Sequence, residues 1–504
     1  MRGLLHIFLI LFPFLVTSQK SQLIQHVTIV DGTGRKEFKG SVRIAGNQIV
    51  GIGKLKPYKN EKVIQGIGLT LAPGFIDSHS HHLNDVLEHP DAISTANQGV
   101  TTVVVGQDGE SVPLITLISQ MNKTPVAVNI ASYTGQSSLR EQVMGSNNLL
   151  RAATQAEIDR MKVLLKKDME NGSLGLSTGL EYESAFYSTR DEVLQLAKVA
   201  KESNGRYISH IRSEDITMSD ALDEIIDIGR KVKLPVQISH IKLAKKGDWG
   251  KAQQIIELLE KARKEGIDIT ADVYPYNFWN STPRVLFPKR DYTNLESSKF
   301  ATQELFEPSE SYLVKFAANK NYEGKTLSEI AKSRNETEPV ALMKLIELSA
   351  DFRKNNPTYS GTVEAIMGKS MQDEDVCKFI QWKHANICSD GNAGAHPRGY
   401  GSFTKILGKY VREEKALTLE EAIYKMTGLT AQHLGIKDRG TIASGMKADL
   451  VLFNPKTVKD NASIRDSHAL SDGIEMVWVN GELIFKGKKS TGRRSGTLIK
   501  RINE

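Results

Sequence analysis

The sequence predicts an α/β chain, a (β/α)8 barrel with a small β-sandwich formed by the N- and C-terminal segments. Three observations carry this expectation. An apolar run ends in Gly74-Phe75-Ile76-Asp77-Ser78-His79-Ser80-His81, which puts two histidines at i and i+2. On a strand those positions share a face, so both imidazoles can reach one metal ion. Further polar residues follow apolar runs at a barrel-like interval: Asp108 lies 29 residues after His79, and Glu181, His210 and His240 are separated by 29 and 30. A strand, a helix and two loops take about 30 residues. Short alternating β-type runs flank this region on both sides, at 22–72 and 448–481.

The elements follow in order. Residues 1–18 read as a secretory signal: Arg2, an apolar stretch from Leu4 to Val16, then the small pair Thr17-Ser18. Such a stretch is short for a bilayer span, so no integral membrane segment is expected after its removal, and the expected location is exported, periplasmic or secreted. Residues 19–72 form the first part of the sandwich. The barrel is expected over 73–435. Its strands are read in the run that ends in His79 and His81, then at Thr101–Val105, Pro125–Ile130, Gly175–Leu180, Tyr207–Ser209, Val236–Ser239, Ile267–Val273 and Ala385–Ser389. Thr154 with Glu157, Thr189 with Glu192 and Thr418 with Glu421 carry the capping-box pattern of helix starts. About 110 residues separate the last two strands, and residues 285–380 are expected to build a lid. Residues 436–504 complete the sandwich and a tail.

Composition narrows the function. A hydrophobic share of 40% with 25% charged residues is ordinary for a globular protein. The net charge of +7 is spread along the chain rather than blocked, so nucleic acid is not an expected partner. Cys377 and Cys388 are the only cysteines. An export route permits a disulfide between them, and a packing role for Cys388 is at least as good a reading.

A two-metal hydrolytic centre needs imidazoles, a bridging anion and an open position for water. His79, His81 and Asp390 are read as holding one divalent ion, and His210 and His240 a second. Glu181 is the favoured bridge. Asp108 is the rival, and its Gly106-Gln107-Asp108-Gly109 setting also suits a plain turn former. Asp390 is the expected catalytic proton acceptor for a metal-bound hydroxide. His82 is expected to face away, and His384, His396 and His433 to be ordinary polar residues.

Together these residues resemble the amidohydrolase superfamily, and more narrowly its D-aminoacylase (N-acyl-D-amino-acid deacylase) branch. The resemblance rests on Ala72 to His81, Gly175-Leu176-Ser177-Thr178-Gly179-Leu180-Glu181-Tyr182, Tyr207-Ile208-Ser209-His210-Ile211-Arg212, Gln237-Ile238-Ser239-His240 and Ser389-Asp390-Gly391. His396 to Gly401 and Gly440 to Leu450 extend it. It implies hydrolysis of the amide bond of N-acyl-D-amino acids with one or two divalent ions, zinc foremost. Many D-aminoacylases carry a cysteine ligand where this chain has Asp108, and a carboxylated lysine bridge at the strand position of Glu181. A substrate carboxylate wants a cation, for which Lys242, Arg398, Arg212 and Arg284 are candidates, with hydroxyls from Tyr274 and Tyr276. The alternatives are a dipeptidase acting on dipeptides with a C-terminal D-residue, and a catalytically silent barrel acting as a binding protein.

Overall fold

The structure, a computed structural model, describes residues 21–501. The expected signal, residues 1–18, lies outside them. Among the described residues no helix is long and apolar enough to cross a membrane.

Nine strands from the two terminal segments join in one sheet. The N-terminal share is Ser21–Ile29, Phe38–Ala45, Gln48–Gly53, Lys62–Gln65 and Thr70–Pro73, and the C-terminal share is Leu450–Phe453, Ile474–Val479, Glu482–Lys486 and Lys489–Ser490. The two shares meet where Thr70–Pro73 pairs antiparallel with Leu450–Phe453, with Leu71 opposite Leu452. Alternation explains the meeting: Ile24, Val42, Ile44, Leu71, Leu450, Leu452 and Trp478 point into a common apolar core.

The chain passes from Pro73 directly into the barrel. Eight parallel strands follow in the expected order: Phe75–Asp77, Val100–Val105, Asn129–Ser132 with Thr134–Gly135, Gly175–Gly179, Arg206–His210, Val236–Ile238, Ile269–Val273 and Ala385–Ile387. Each is buried along nearly its whole length, as strands covered on both faces must be. Helices start where their caps were read. Thr154 with Glu157 and Thr418 with Glu421 form reciprocal capping boxes, and the Thr189 hydroxyl accepts from Glu192 N.

The barrel has two seams. Between the eighth and first strands, Ser80 bridges Gly391, Asp390 N donates to His79 O, and His81 N donates to Gly391 O. The second seam divides the third strand. Its first half pairs with the second strand and its last two residues with the fourth. The chain's own tail fills the gap: Gly496 N donates to Val126 O, Ile130 N to Thr497 O, and Ile499 N to Ile130 O. Ile499 is buried in one cluster with Ile76, Val104, Ala131 and Ile208.

The insertion between the seventh and eighth strands has its own three-stranded antiparallel sheet, Phe278–Ser281, Glu364–Lys369 and Tyr312–Phe316, and carries the helix Glu338–Asn355. It is fastened to the barrel by Trp249 Nε1 donating to Ser370 O and by a hydrogen bond from Arg290 to Glu181 O.

Deleting residues 495–504 is expected to lower the thermal unfolding midpoint by about 5 °C or more, because the seam loses its hydrogen bonds and Ile499 its burial. Calorimetry of the truncated protein checks this; an unchanged midpoint contradicts the role given to the tail.

Candidate metal centre

The site occupies the carboxyl ends of the barrel strands, where successive strand-to-helix loops converge. His79 and His81 follow the first strand. Asp77 anchors them: its carboxylate accepts from Ser389 N and Ser389 Oγ at 2.8 and 2.5 Å, tying the first strand to the eighth. Asp108 follows the second strand on a tight turn. Gly106 starts that turn with φ +73°, and a Cβ there would meet Tyr133 O at 2.2 Å. Asp108, His240 and Asp390 themselves have φ of 52°, 35° and 48°. Left-handed backbone at three site residues costs energy that the surrounding barrel must supply.

The donor atoms fall into groups. His79, His81, Asp108 and Asp390 form one, Asp108, His210 and His240 a second, and Glu181, His210 and Glu214 a third; within each, all donor atoms lie within 4.8 Å of one another. Asp108 belongs to the first two. Its carboxylate is 3.5 Å from His79 Nε2, 3.4 Å from His81 Nε2 and 3.5 Å from His240 Nε2. Asp390 Oδ1 lies 3.5 Å from His79 Nε2 and 3.2 Å from His81 Nε2. A divalent ion held tetrahedrally at about 2.1 Å separates its donors by about 3.4 Å. Both ring nitrogens of His79 and Oδ1 of Asp108 are buried without a hydrogen-bond partner. Buried polar atoms are otherwise paired, so these orphans and spacings fit divalent ions.

The charge balance points the same way. Burial opposes charge on His81, yet hydrogen bonds to Asp108 and Asp390 outweigh it and raise its pKa to about 9. Burial likewise opposes ionisation of Asp108, but the charges of His79 and His240 hold it well below the usual carboxylate range. Asp390 is also held down against burial, chiefly by Arg398 and His240. The carboxylates stay ionised and draw positive charge onto the imidazoles, a role a metal cation takes over.

Glu181, expected as the bridge, lies to one side. Its Oε2 is 2.9 Å from His210 Nε2, and it shares no donor group with His79 or His81. The reason is local: the fourth strand ends at Gly179, and a turn carries Glu181 outward past His210. The carboxylate common to the two histidine groups is that of Asp108.

Supporting residues complete the shell. Asp272, on the seventh strand, has Oδ1 3.5 Å from His79 Nδ1 and accepts from His240 N at 2.6 Å, so it orients two imidazole-bearing segments at once. Glu214 accepts from Lys242 Nζ at 2.6 Å, while Lys242 Nζ lies 2.7 Å from His240 Nδ1. Sequence reasoning missed both acids. A buried aspartate inside the apolar run Ile269–Val273 was the available signal for the first, and the i+4 spacing from His210 for the second.

The substrate-binding candidates separate. Lys242, Arg398 and Tyr274 line the cavity over the donors. Arg398 pairs with Asp390 Oδ2 at 2.6 Å, and the Tyr274 hydroxyl is buried without a partner. Arg212 does not reach the cavity: its guanidinium grips Glu224 at 2.7 and 2.8 Å and Ser188 O at 3.0 Å, behind the fifth strand. Arg284 pairs with Glu364 of the insertion, and Tyr276 packs on His396 and Lys405. His82 is buried away from the donors against Gly399 O. His384, His396 and His433 belong to no donor group. Both cysteines are free thiols; Cys388 is buried with its Sγ 3.2 Å from Asp272 Oδ1, a packing and support role rather than a cross-link.

Comparison with known proteins agrees with this geometry. The model of the amidohydrolase family matches residues 62–307 and 385–485. The chain is 30% identical to N-acyl-D-aspartate deacylase of Alcaligenes xylosoxydans xylosoxydans, over 96% of this chain and 95% of that protein. It is 31% identical to D-aminoacylase of the same organism, over 94% and 96%. Among solved structures, N-acyl-D-glutamate deacylase from Bordetella bronchiseptica, complexed with zinc and a phosphonate inhibitor, superposes with a TM-score of 0.83 at 28% identity, covering 95% of this chain and 99% of that one. The family model leaves out residues 308–384, most of the insertion, and covers the barrel segments that carry the donors. The chain belongs to the amidohydrolase family, in its D-aminoacylase branch, and is a hydrolase of linear amide bonds.

Proposed function

We propose that the protein is a metal-dependent deacylase that hydrolyses N-acyl-D-amino acids to a carboxylate and the free D-amino acid. One observation carries the reading. A carboxylate shared by two histidine groups opens into a cavity of about 270 Å³ whose only lining lysine and arginine, among the described residues, are Lys242 and Arg398. That arrangement combines an amide-hydrolysing centre with a seat for one substrate carboxylate. The relatives act on N-acyl-D-amino acids by name, which supports the substrate class.

His79, His81, Asp108 and Asp390 would hold one ion and Asp108, His210 and His240 a second. Histidine ligation favours zinc, and a related deacylase is complexed with it. Bound divalent ions acidify water and polarise the amide carbonyl.

The chain's residues supply the rest. Asp390 is the proton acceptor, since its Oδ1 faces both histidines of the first group while Arg398 holds its other oxygen. It takes the proton of the attacking water and delivers it to the amide nitrogen, so that the amine leaves neutral. Arg398, Lys242 and the unpartnered hydroxyl of Tyr274 receive the substrate carboxylate and orient the scissile bond. Trp279 and Leu286 from the insertion cover the cavity and limit water access.

The test is a panel of N-acetyl-D- and N-acetyl-L-amino acids with metal-loaded protein; preference for the L series overturns the reading. His240→Ala is expected to lower bound metal, measured by elemental analysis, together with activity. Asp390→Asn is expected to lower kcat by about 10²–10⁴-fold while losing less metal than His240→Ala. Equal metal loss in the two variants would count against proton transfer by Asp390.

A further inference from the structure

Beneath the donors lies a polar layer that the metal centre's own residues do not account for. Barrel interiors are filled mostly by branched apolar side chains. Here the sixth, seventh and eighth strands bring Gln237, Thr270, Asp272 and Asn386 together instead. Gln237 stands opposite Thr270 in the ladder, and Asp272 opposite Asn386. Thr270 and Asp272, two residues apart on one strand, share a face. Asn386 reaches Gln237 across the intervening seventh strand. All four residues are buried. Burying polar groups is costly unless each finds a partner, and an apolar layer would close the barrel without that cost.

The partners form one directed chain. His433, on the helix Gly428–Leu434, has Nδ1 2.7 Å from Asn386 Oδ1. Asn386 Nδ2 donates to Gln237 Oε1 at 3.1 Å, and Gln237 Nε2 donates to Asp272 Oδ2 at 2.6 Å. Asp272 Oδ1 accepts from His240 N at 2.6 Å and lies 3.5 Å from His79 Nδ1. An ionised carboxylate only accepts, so Gln237 turns its amide nitrogen to Asp272 and its oxygen to Asn386. Asn386 then turns its oxygen to His433, whose Nδ1 carries the proton. The Asp272 carboxylate cannot rotate without losing a 2.6 Å hydrogen bond on each oxygen. In this setting Oδ1 faces His79 Nδ1 and draws the imidazole proton there. Nε2, which faces Asp108 and Asp390, is left free as a metal donor.

We propose that Gln237 and Asn386 are positioning residues for the metal centre: acting through Asp272, they fix the imidazole of His79 and the backbone of His240 for divalent-ion binding. The inference rests on metal binding at this site and goes beyond it, since neither amide lines the cavity over the donors.

The experiment measures the zinc affinity of the full-length protein by competition with a chelator, alongside circular dichroism and the unfolding midpoint without metal. Gln237→Met keeps the bulk and removes the donor to Asp272; Asn386→Leu removes the donor to Gln237. Each is expected to weaken zinc binding about 10-fold or more. Asp272→Asn is expected to weaken it at least as much. Gln237→Met added to Asp272→Asn is expected to weaken it little further, because the amide acts only through that carboxylate. A residue that merely fills the barrel would lower the midpoint and leave the zinc affinity of the folded protein alone. Unchanged affinity in either folded single variant, or additive losses in the double variant, overturns the inference while leaving metal binding standing. A wild-type protein that binds no zinc overturns both.

Discussion

Asp108 is the constraint on which the site depends. One carboxylate lies within 3.5 Å of histidines that follow the first and sixth strands, His79 and His81 on one side and His240 on the other. An anion in that position is tolerable only where positive charge collects around it. The imidazoles supply part of that charge, and divalent ions supply the rest. Everything near the centre serves this arrangement. Gly106 lets the loop approach Tyr133, Asp272 faces the His79 imidazole and accepts from the backbone N of His240, and Lys242 and Arg398 balance the outer acids.

The backbone shows how the barrel enforces it. Asp108, His240 and Asp390 all take left-handed φ. Aspartate enters this region more readily than most side chains, and histidine does so at a cost. Each of the three stands just past a strand end, where the chain must turn from the sheet to the next helix. The same turn swings the side chain inward. Ladder pairing of the strands below holds these residues in place; at the seam between the first and eighth strands, Asp390 N and His81 N donate directly to His79 O and Gly391 O. Ligand placement and barrel closure are one set of hydrogen bonds there.

Much of this was legible in the sequence. His79, His81, His210, His240 and Asp390 each follow an apolar run, which places them at the barrel mouth; only His210 stands on a strand, and the other four lie two to four residues past one. The barrel order and the joining of the two terminal segments followed from the same patterns. The direction in which side chains point beyond the last ladder residue was not legible. The Gly-rich setting of Asp108 reads as a turn former as readily as a donor, whereas the turn is what brings its carboxylate among the histidines. Glu181 stands two residues past its strand, where alternation no longer predicts direction. Arg212 was two residues past His210 in sequence, but Glu224 on the following helix draws its guanidinium behind the sheet. Periodicity reports on regular backbone; loops answer to partners that are distant in sequence.

The tail of the chain shows the same dependence on distant partners at the level of the whole barrel. Residues 496–499 supply the edge that the divided third strand lacks, and the strand Leu450–Phe453 supplies the partner of Thr70–Pro73. The donors, from His79 to Asp390, are therefore all translated before the segments that complete the sheet and the divided strand. The terminal sheet and the seam of the third strand are thus the last parts of the barrel that can close during synthesis.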